Sequence, residues 1–200
     1  MKITVSFFAG CLLLLGACGN QKTPDSTPGQ ASKAPDTTAQ KFFPVADYLQ
    51  SEIRFVDSTP LAILKCETVH NRTDSTFLTP AEFNRLASSF LAPELASLQQ
   101  DFTENSFGDQ TTGYLSFTYS PKNKEQPLRR VDVVVSPGEG FDKVKSIYLE
   151  RTARESDTLV VKKMYWQARH SFLIITSLQA TGKTPETRQL KVIWSNEEAD

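Results

Sequence analysis

The sequence predicts an α+β domain: a curved antiparallel sheet of about six to seven strands, ending in a C-terminal meander, with two to three helices packed on one face. Three observations carry that expectation. Apolar residues recur at helical spacing only before residue 105, and from Thr111 onward they alternate with period two. The connections between the later strands are short, and a parallel crossover needs about a dozen residues, so these strands must be antiparallel neighbours.

Order begins at Phe42-Phe43-Pro44. Pro44 suits the first turn of a helix, and Val45, Leu49, Ile53 and Val56 repeat at helical spacing beside Tyr48 and Phe55. This helix ends near Asp57-Ser58-Thr59-Pro60, because the residue before a proline disfavours helical backbone. Residues 61–69 read as a strand and residues 70–75 as a polar turn. At Thr79 a second helix starts: Thr79 can cap, Pro80 fits the first helical position, and Glu82 completes a capping box. Phe83, Leu86, Ala87, Phe90 and Leu91 form its apolar face. Pro93 breaks it and restarts a short helix carrying Leu95 and Leu98, whose helical character fades over residues 105–108.

Strands follow. Residues 114–119 put Leu115, Phe117 and Tyr119 on one face, and Val131, Val133 and Val135 share another. Pro137-Gly138-Glu139-Gly140 closes that strand. The remaining strands run over 144–154, 158–167, 172–179 and 188–194. No repeat recurs at the periods of stacked-repeat folds.

The first forty residues are of another kind. Lys2 precedes an apolar run over residues 3–15, about thirteen residues, which is the length of a signal core; a membrane span needs roughly 20. The run ends at Leu15-Gly16-Ala17-Cys18, which resembles the lipobox of bacterial lipoproteins. That resemblance implies diacylglyceration of the Cys18 thiol, cleavage just before it and further acylation of the new N-terminus. One acyl chain holds a protein only marginally, at about 0.8 kcal/mol per buried CH₂, so several chains are needed. Phe8-Ala9-Gly10-Cys11 has a similar look, but cleavage there leaves too short an apolar core. Gly19 is not Asp, and in enteric bacteria an Asp at that position retains a lipoprotein at the inner membrane. The expectation is therefore an outer-membrane anchor, with the domain facing the periplasm or the cell surface. Residues 1–17 are then signal and residues 18–41 a lipidated cysteine and tether. The tether lacks aromatic and large aliphatic residues and cannot offset the entropy of ordering. It reaches about 25–30 Å r.m.s.. Residues 42–200 form the single folded domain.

With a net charge of −1, the chain has no electrostatic case for nucleic acid. Of the three cysteines, Cys11 leaves with the signal and Cys18 carries lipid. Cys66 is then left without an intrachain partner, and Leu64-Lys65-Cys66-Glu67 suits a strand with Cys66 facing inward. His70 and His170 both fall at turns with no second ligand at metal spacing. Gly182-Lys183-Thr184 ends like a phosphate loop, but Ser177 stands where the first glycine belongs. No catalytic residue, metal ligand or cofactor motif emerges. Arg129, Arg130, Lys143, Lys145, Arg151, Arg154, Lys162 and Lys163 make the middle strands basic, interleaved with Glu139, Asp142, Glu150, Glu155 and Asp157. They read as a solvated mixed-charge face, with an anionic headgroup or glycan site as the alternative. Tyr165, Trp166, Phe172 and Trp194 read as core aromatics.

Five Asp-Ser/Thr triplets place hydroxyls at Ser26, Thr37, Ser58, Ser75 and Thr158. They resemble the O-glycosylation motif of envelope proteins in Bacteroidota; the alternative is that Asp-Ser/Thr pairs simply form turns. The functional expectation is a lipid-anchored cell-envelope protein with a non-catalytic binding domain, acting either as an accessory subunit or as a receptor for another envelope component. The alternative is a carrier or binder of a hydrophobic or anionic small molecule, in a pocket lined by Phe117, Val133, Ile147 and Phe172 in the concave face of the sheet. An enzyme is the third reading.

Overall fold

A computed structural model of the chain describes residues 42–138 and 140–195. The lipobox residues Leu15, Gly16, Ala17 and Cys18, and the hydroxyls of Ser26 and Thr37, lie outside the described residues. The fold is α+β, with one antiparallel sheet of nine strands and three helices. In chain order the elements are α1 (Val45–Ser58), β1 (Ile63–Val69), β2 (Arg72–Leu78), α2 (Pro80–Ala87), α3 (Leu98–Asp101) and β3 (Phe102–Gly108). Then come β4 (Leu115–Pro121), β5 (Leu128–Val135), β6 (Val144–Glu155), β7 (Thr158–Gln167), β8 (Ser171–Ala180) and β9 (Glu186–Ile193). The spatial order is β2-β1-β9-β8-β7-β6-β5-β4-β3.

The two strands beyond the expected count are the two edges. Residues 70–75, expected as a turn, contain a turn only at His70 and Asn71, whose φ angles of 48° and 62° make the two-residue hairpin β1–β2. Positive φ at both central positions matches the right-handed twist of the strands, and Asn tolerates it. Chain expected to lose its helical character over 105–108 is instead β3, paired with β4 from Phe102↔Pro121 to Gly108↔Leu115. An edge strand has one neighbour and carries polar residues on both faces, so it shows little hydrophobic alternation.

This order gives the helical segment a task. The chain leaves β2 at one edge and must enter β3 at the other, a distance of eight strand spacings, or about 38 Å if the sheet lay flat. Residues 79–101 make that crossing over one face of the sheet. The capping box opens it: the Glu82 N–H donates to Thr79 Oγ1 at 3.3 Å, and the Thr79 N–H donates to Glu82 Oε2 at 2.8 Å. Two short 3-10 turns, Ser88–Phe90 and Pro93–Ser97, replace a continuous helix where Pro93 removes a donor.

On the helix-bearing face five aromatic rings meet: Phe83 and Phe90 from the crossing segment, Trp166 from β7, Phe172 from β8, and Trp194. Ring centroids lie 5.1–6.4 Å apart, as between Phe90 and Trp166 at 5.1 Å and Phe83 and Trp166 at 6.4 Å. All but Trp194 are fully buried, and Trp194 is 3 % exposed. Each such ring contributes about 1.5–3 kcal/mol through burial. Tyr165, expected among them, is displaced to the opposite face by strand alternation and is 40 % exposed. The same alternation overturns the inward placement of Cys66: Ile63 enters the core from β1, and Cys66, an odd number of residues away, faces the other side, half-buried.

Candidate functional site

Val133, Ile147 and Phe172 are fully buried in a core shared with Tyr48 and Leu49 of α1 and Phe83 of α2. Side chains of the helices pack into that space.

One polar cluster sits inside the core. Glu52 of α1 is 2 % exposed, and its Oε2 accepts from the Arg169 backbone N–H at 2.9 Å and from Trp166 Nε1 at 3.4 Å. Its Oε1 lies 3.0 Å from Arg169 Nε, and the Arg169 guanidinium stacks 3.9 Å from the Phe55 ring centroid. Arg169 occupies positive φ, 58°, in the three-residue turn between β7 and β8. Burial, and then the neighbouring Glu52 charge, push the Tyr48 phenol far above its ordinary range. Burial does the same to Tyr119, whose hydroxyl accepts from the Phe43 N–H at 3.1 Å and fixes where the chain enters the domain. Glu52 is the one buried carboxylate among the described residues, and its contacts tie α1 to a hairpin.

The three described candidate glycosylation hydroxyls do not converge. Ser58 ends α1, exposed, with its Oγ donating to Phe55 O at 3.2 Å. Ser75 is exposed on edge strand β2, where its Oγ donates to Cys66 Sγ at 3.4 Å. Thr158 begins β7 and is half-buried. His70 and His170 do occupy turns, and no described group of three or more His, Cys, Asp or Glu is placed to hold a metal ion. Gly182, at φ 73°, sits in the β8–β9 turn.

Two surfaces remain. The first is the open face of the sheet, where β6, β7 and β8 align Tyr148, Tyr165 and Leu173. One step along the strands, β9, β1 and β2 align Ile193, Leu64 and Phe77. The two rows form an apolar stripe across six adjacent strands, and Phe77 is 72 % exposed. Lys163 and Lys191 lie exposed beside it on the same face. The second surface is a cleft of about 260 Å³ on the helix-bearing face, between Arg85 and Leu86 of α2 and strands β7, β8, β9 and β1. Register brings together Lys162, Thr176 and Arg188, directly opposite one another on β7, β8 and β9.

The basic middle strands are thus divided between faces. Arg130 pairs with Asp132 at 2.8 Å on the open face, while Arg151 pairs with Glu94 at 3.2 Å on the other. Lys162 was legible as part of a basic stretch, but Arg85, Thr176 and Arg188 were not. Arg85 lies 77 positions before Lys162, and Thr176 and Arg188 lie on the two following strands; strand pairing aligns Lys162, Thr176 and Arg188, and the packing of α2 on the sheet adds Arg85. Phe77 carried a signal that was available: an aromatic residue in a polar stretch.

No helix of the described residues is long and apolar enough to cross a membrane. Comparison with family models, with curated proteins and with solved structures gave no match to this chain.

Proposed function

We propose that the chain is a lipid-anchored bacterial envelope protein, held by acylated Cys18 at the outer membrane, whose folded domain binds another envelope protein and performs no catalysis itself. The observation that carries the partner is the exposed apolar stripe on the open face. A monomer gains nothing by exposing Phe77 and Tyr165 on adjoining rows, and contiguous apolar surface marks an interaction site. Lys163 and Lys191 beside the stripe define the partner's chemistry: an apolar patch bordered by carboxylates. The filled core supports binding on a surface over enclosure of a ligand among Val133, Ile147 and Phe172. The engagement of buried Glu52 by Arg169 and Trp166 supports a structural role for that carboxylate.

In-cell cross-linking tests the reading. A photoreactive residue at Tyr165 or Phe77 of the full lipidated chain is expected to capture one discrete envelope protein. The same residue at Lys124, in the exposed β4–β5 turn, is expected to capture none. Absence of an adduct at both stripe positions, or the same adducts at Lys124, would overturn it.

A further inference from the structure

We infer that the cleft on the helix-bearing face is a second binding site, for an amphiphilic anion with a carboxylate or phosphate head and a short hydrocarbon chain. It lies on the opposite face from the stripe and does not depend on the protein partner.

The head site follows from register. Lys162 and Arg188 stand on either side of Thr176, one strand spacing of about 4.8 Å away on each side. Arg85 closes over them from the last turn of α2. Three cations and two hydroxyls, of Thr176 and Ser89, therefore line one recess, against a single lining carboxylate, Glu67, which is itself paired with Lys65 at 3.4 Å. Glu186 engages the Nε edge of Arg188 at 2.7 Å, which orients the guanidinium. Among the described residues the Lys162 ammonium has no hydrogen-bond or ion-pair partner. Cations gathered this closely repel one another, and a bound anion turns that repulsion into attraction.

The chain site follows from the apolar lining. Leu86, Ile174 and Leu190 line the same cleft; Ile174 is buried, while Leu86 and Leu190 are half-buried. An inorganic anion leaves this apolar lining wet, and a neutral hydrocarbon leaves Arg85 and Lys162 without a counter-charge and Arg188 with only Glu186. Only a molecule with both parts satisfies both. The volume of about 260 Å³ lies just below the range of about 300–1,000 Å³ usual for ligand pockets, which limits the occupant to a small head and a short length of chain.

Photolabelling of the full chain in its own membrane tests this. Two probes are used: a diazirine-bearing fatty acid, and a phosphatidylglycerol with the diazirine on one acyl chain. Labelling is expected on the peptides that carry Leu86, Ile174 or Leu190, and decyl phosphate is expected to compete where decanol does not. The double variant Lys162→Glu, Arg188→Glu is expected to lose tenfold or more of that labelling. Arg154→Glu, an exposed charge reversal on the opposite face of β6, is expected to keep it. Labelling by the fatty acid alone identifies a free anion as the ligand, and labelling by the phospholipid identifies a bilayer lipid. Labelling spread along the chain, equal labelling of the double variant with an unchanged circular dichroism spectrum, or competition by decanol as strong as that by decyl phosphate would each overturn the assignment. So would the absence of groove labelling by both probes.

Discussion

Replacing Glu52 by Ala removes the acceptor for two buried donors, the Arg169 N–H at 2.9 Å and the Trp166 indole N–H at 3.4 Å. A buried donor left without a partner costs about 1–3 kcal/mol, and the longer indole contact belongs at the lower end. The Arg169 guanidinium is a smaller loss. Its side chain is 57 % exposed and rehydrates when released, so the ion pair itself contributes about 0.5–1 kcal/mol. Together these give a destabilisation of about 3–4 kcal/mol for Glu52→Ala, a large part of a small domain's stability. Glu52→Gln separates the terms. Both donors converge on Oε2, so an amide with its carbonyl oxygen there still accepts both. The charge and the Oε1 acceptor for Arg169 Nε are lost together, and because that guanidinium is largely exposed and rehydrates, the expected cost is about 1 kcal/mol. Urea unfolding followed by tryptophan fluorescence reads both variants, since Trp166 and Trp194 lie together in the aromatic core. If Gln costs as much as Ala, the charge and not the hydrogen bonding holds the hairpin to α1. If Ala costs less than about 1 kcal/mol, the accounting of buried donors is wrong.

The capping box gives a pH-dependent expectation: Thr79→Ala should destabilise by about 1 kcal/mol at neutral pH. The Thr79 backbone N–H, and then its hydroxyl, hold the Glu82 carboxyl below its ordinary value of 4.5. That stabilisation is present above the ordinary value and is lost as pH falls through the depressed one. The difference in Tm between the two proteins should therefore shrink from pH 7 to pH 3, and a constant difference would count against the carboxylate's part. Cys18→Ala should leave the domain folded and release it from membranes; retention after a high-salt wash would show that another contact holds it. Cys66, half-buried on the open face, should react with a maleimide in the folded protein, and Cys66→Ser should change stability by less than about 0.5 kcal/mol. A requirement for denaturant before labelling would contradict that placement. In the β1–β2 turn, Asn71→Gly should stabilise by about 0.5–1 kcal/mol, because glycine takes the φ of 62° without strain, as thermal unfolding would show.

The helix starts and the central strands were legible because local rules fix them. The Thr79-Pro80-Ala81-Glu82 stretch satisfies its own backbone donors within one turn, wherever the segment lies in the fold. The alternation of Val131, Val133 and Val135 records one face buried against a core. The edges were not legible. β2 is exposed along its whole length except at Leu78, so no core left a period in its sequence; its partner is held by backbone hydrogen bonds, which any sequence supplies.

The candidate surfaces divide in the same way. By itself the sequence determined the α+β class and the capping box that starts α2, and its near-neutral charge gives no electrostatic case for a nucleic-acid surface. The tertiary structure alone decided that β1 pairs with β9, that the crossing segment spans the sheet from edge to edge, and that helix side chains, and not an open pocket, occupy the face of Val133, Ile147 and Phe172. It also decided which residues face one another across the cleft: Lys162, Thr176 and Arg188 belong to three strands, and Arg85 to a helix from the other half of the domain. Short-range pattern reports which face of an element is buried. It carries no record of which element lies opposite, because that is set by register and by packing between segments far apart in the chain.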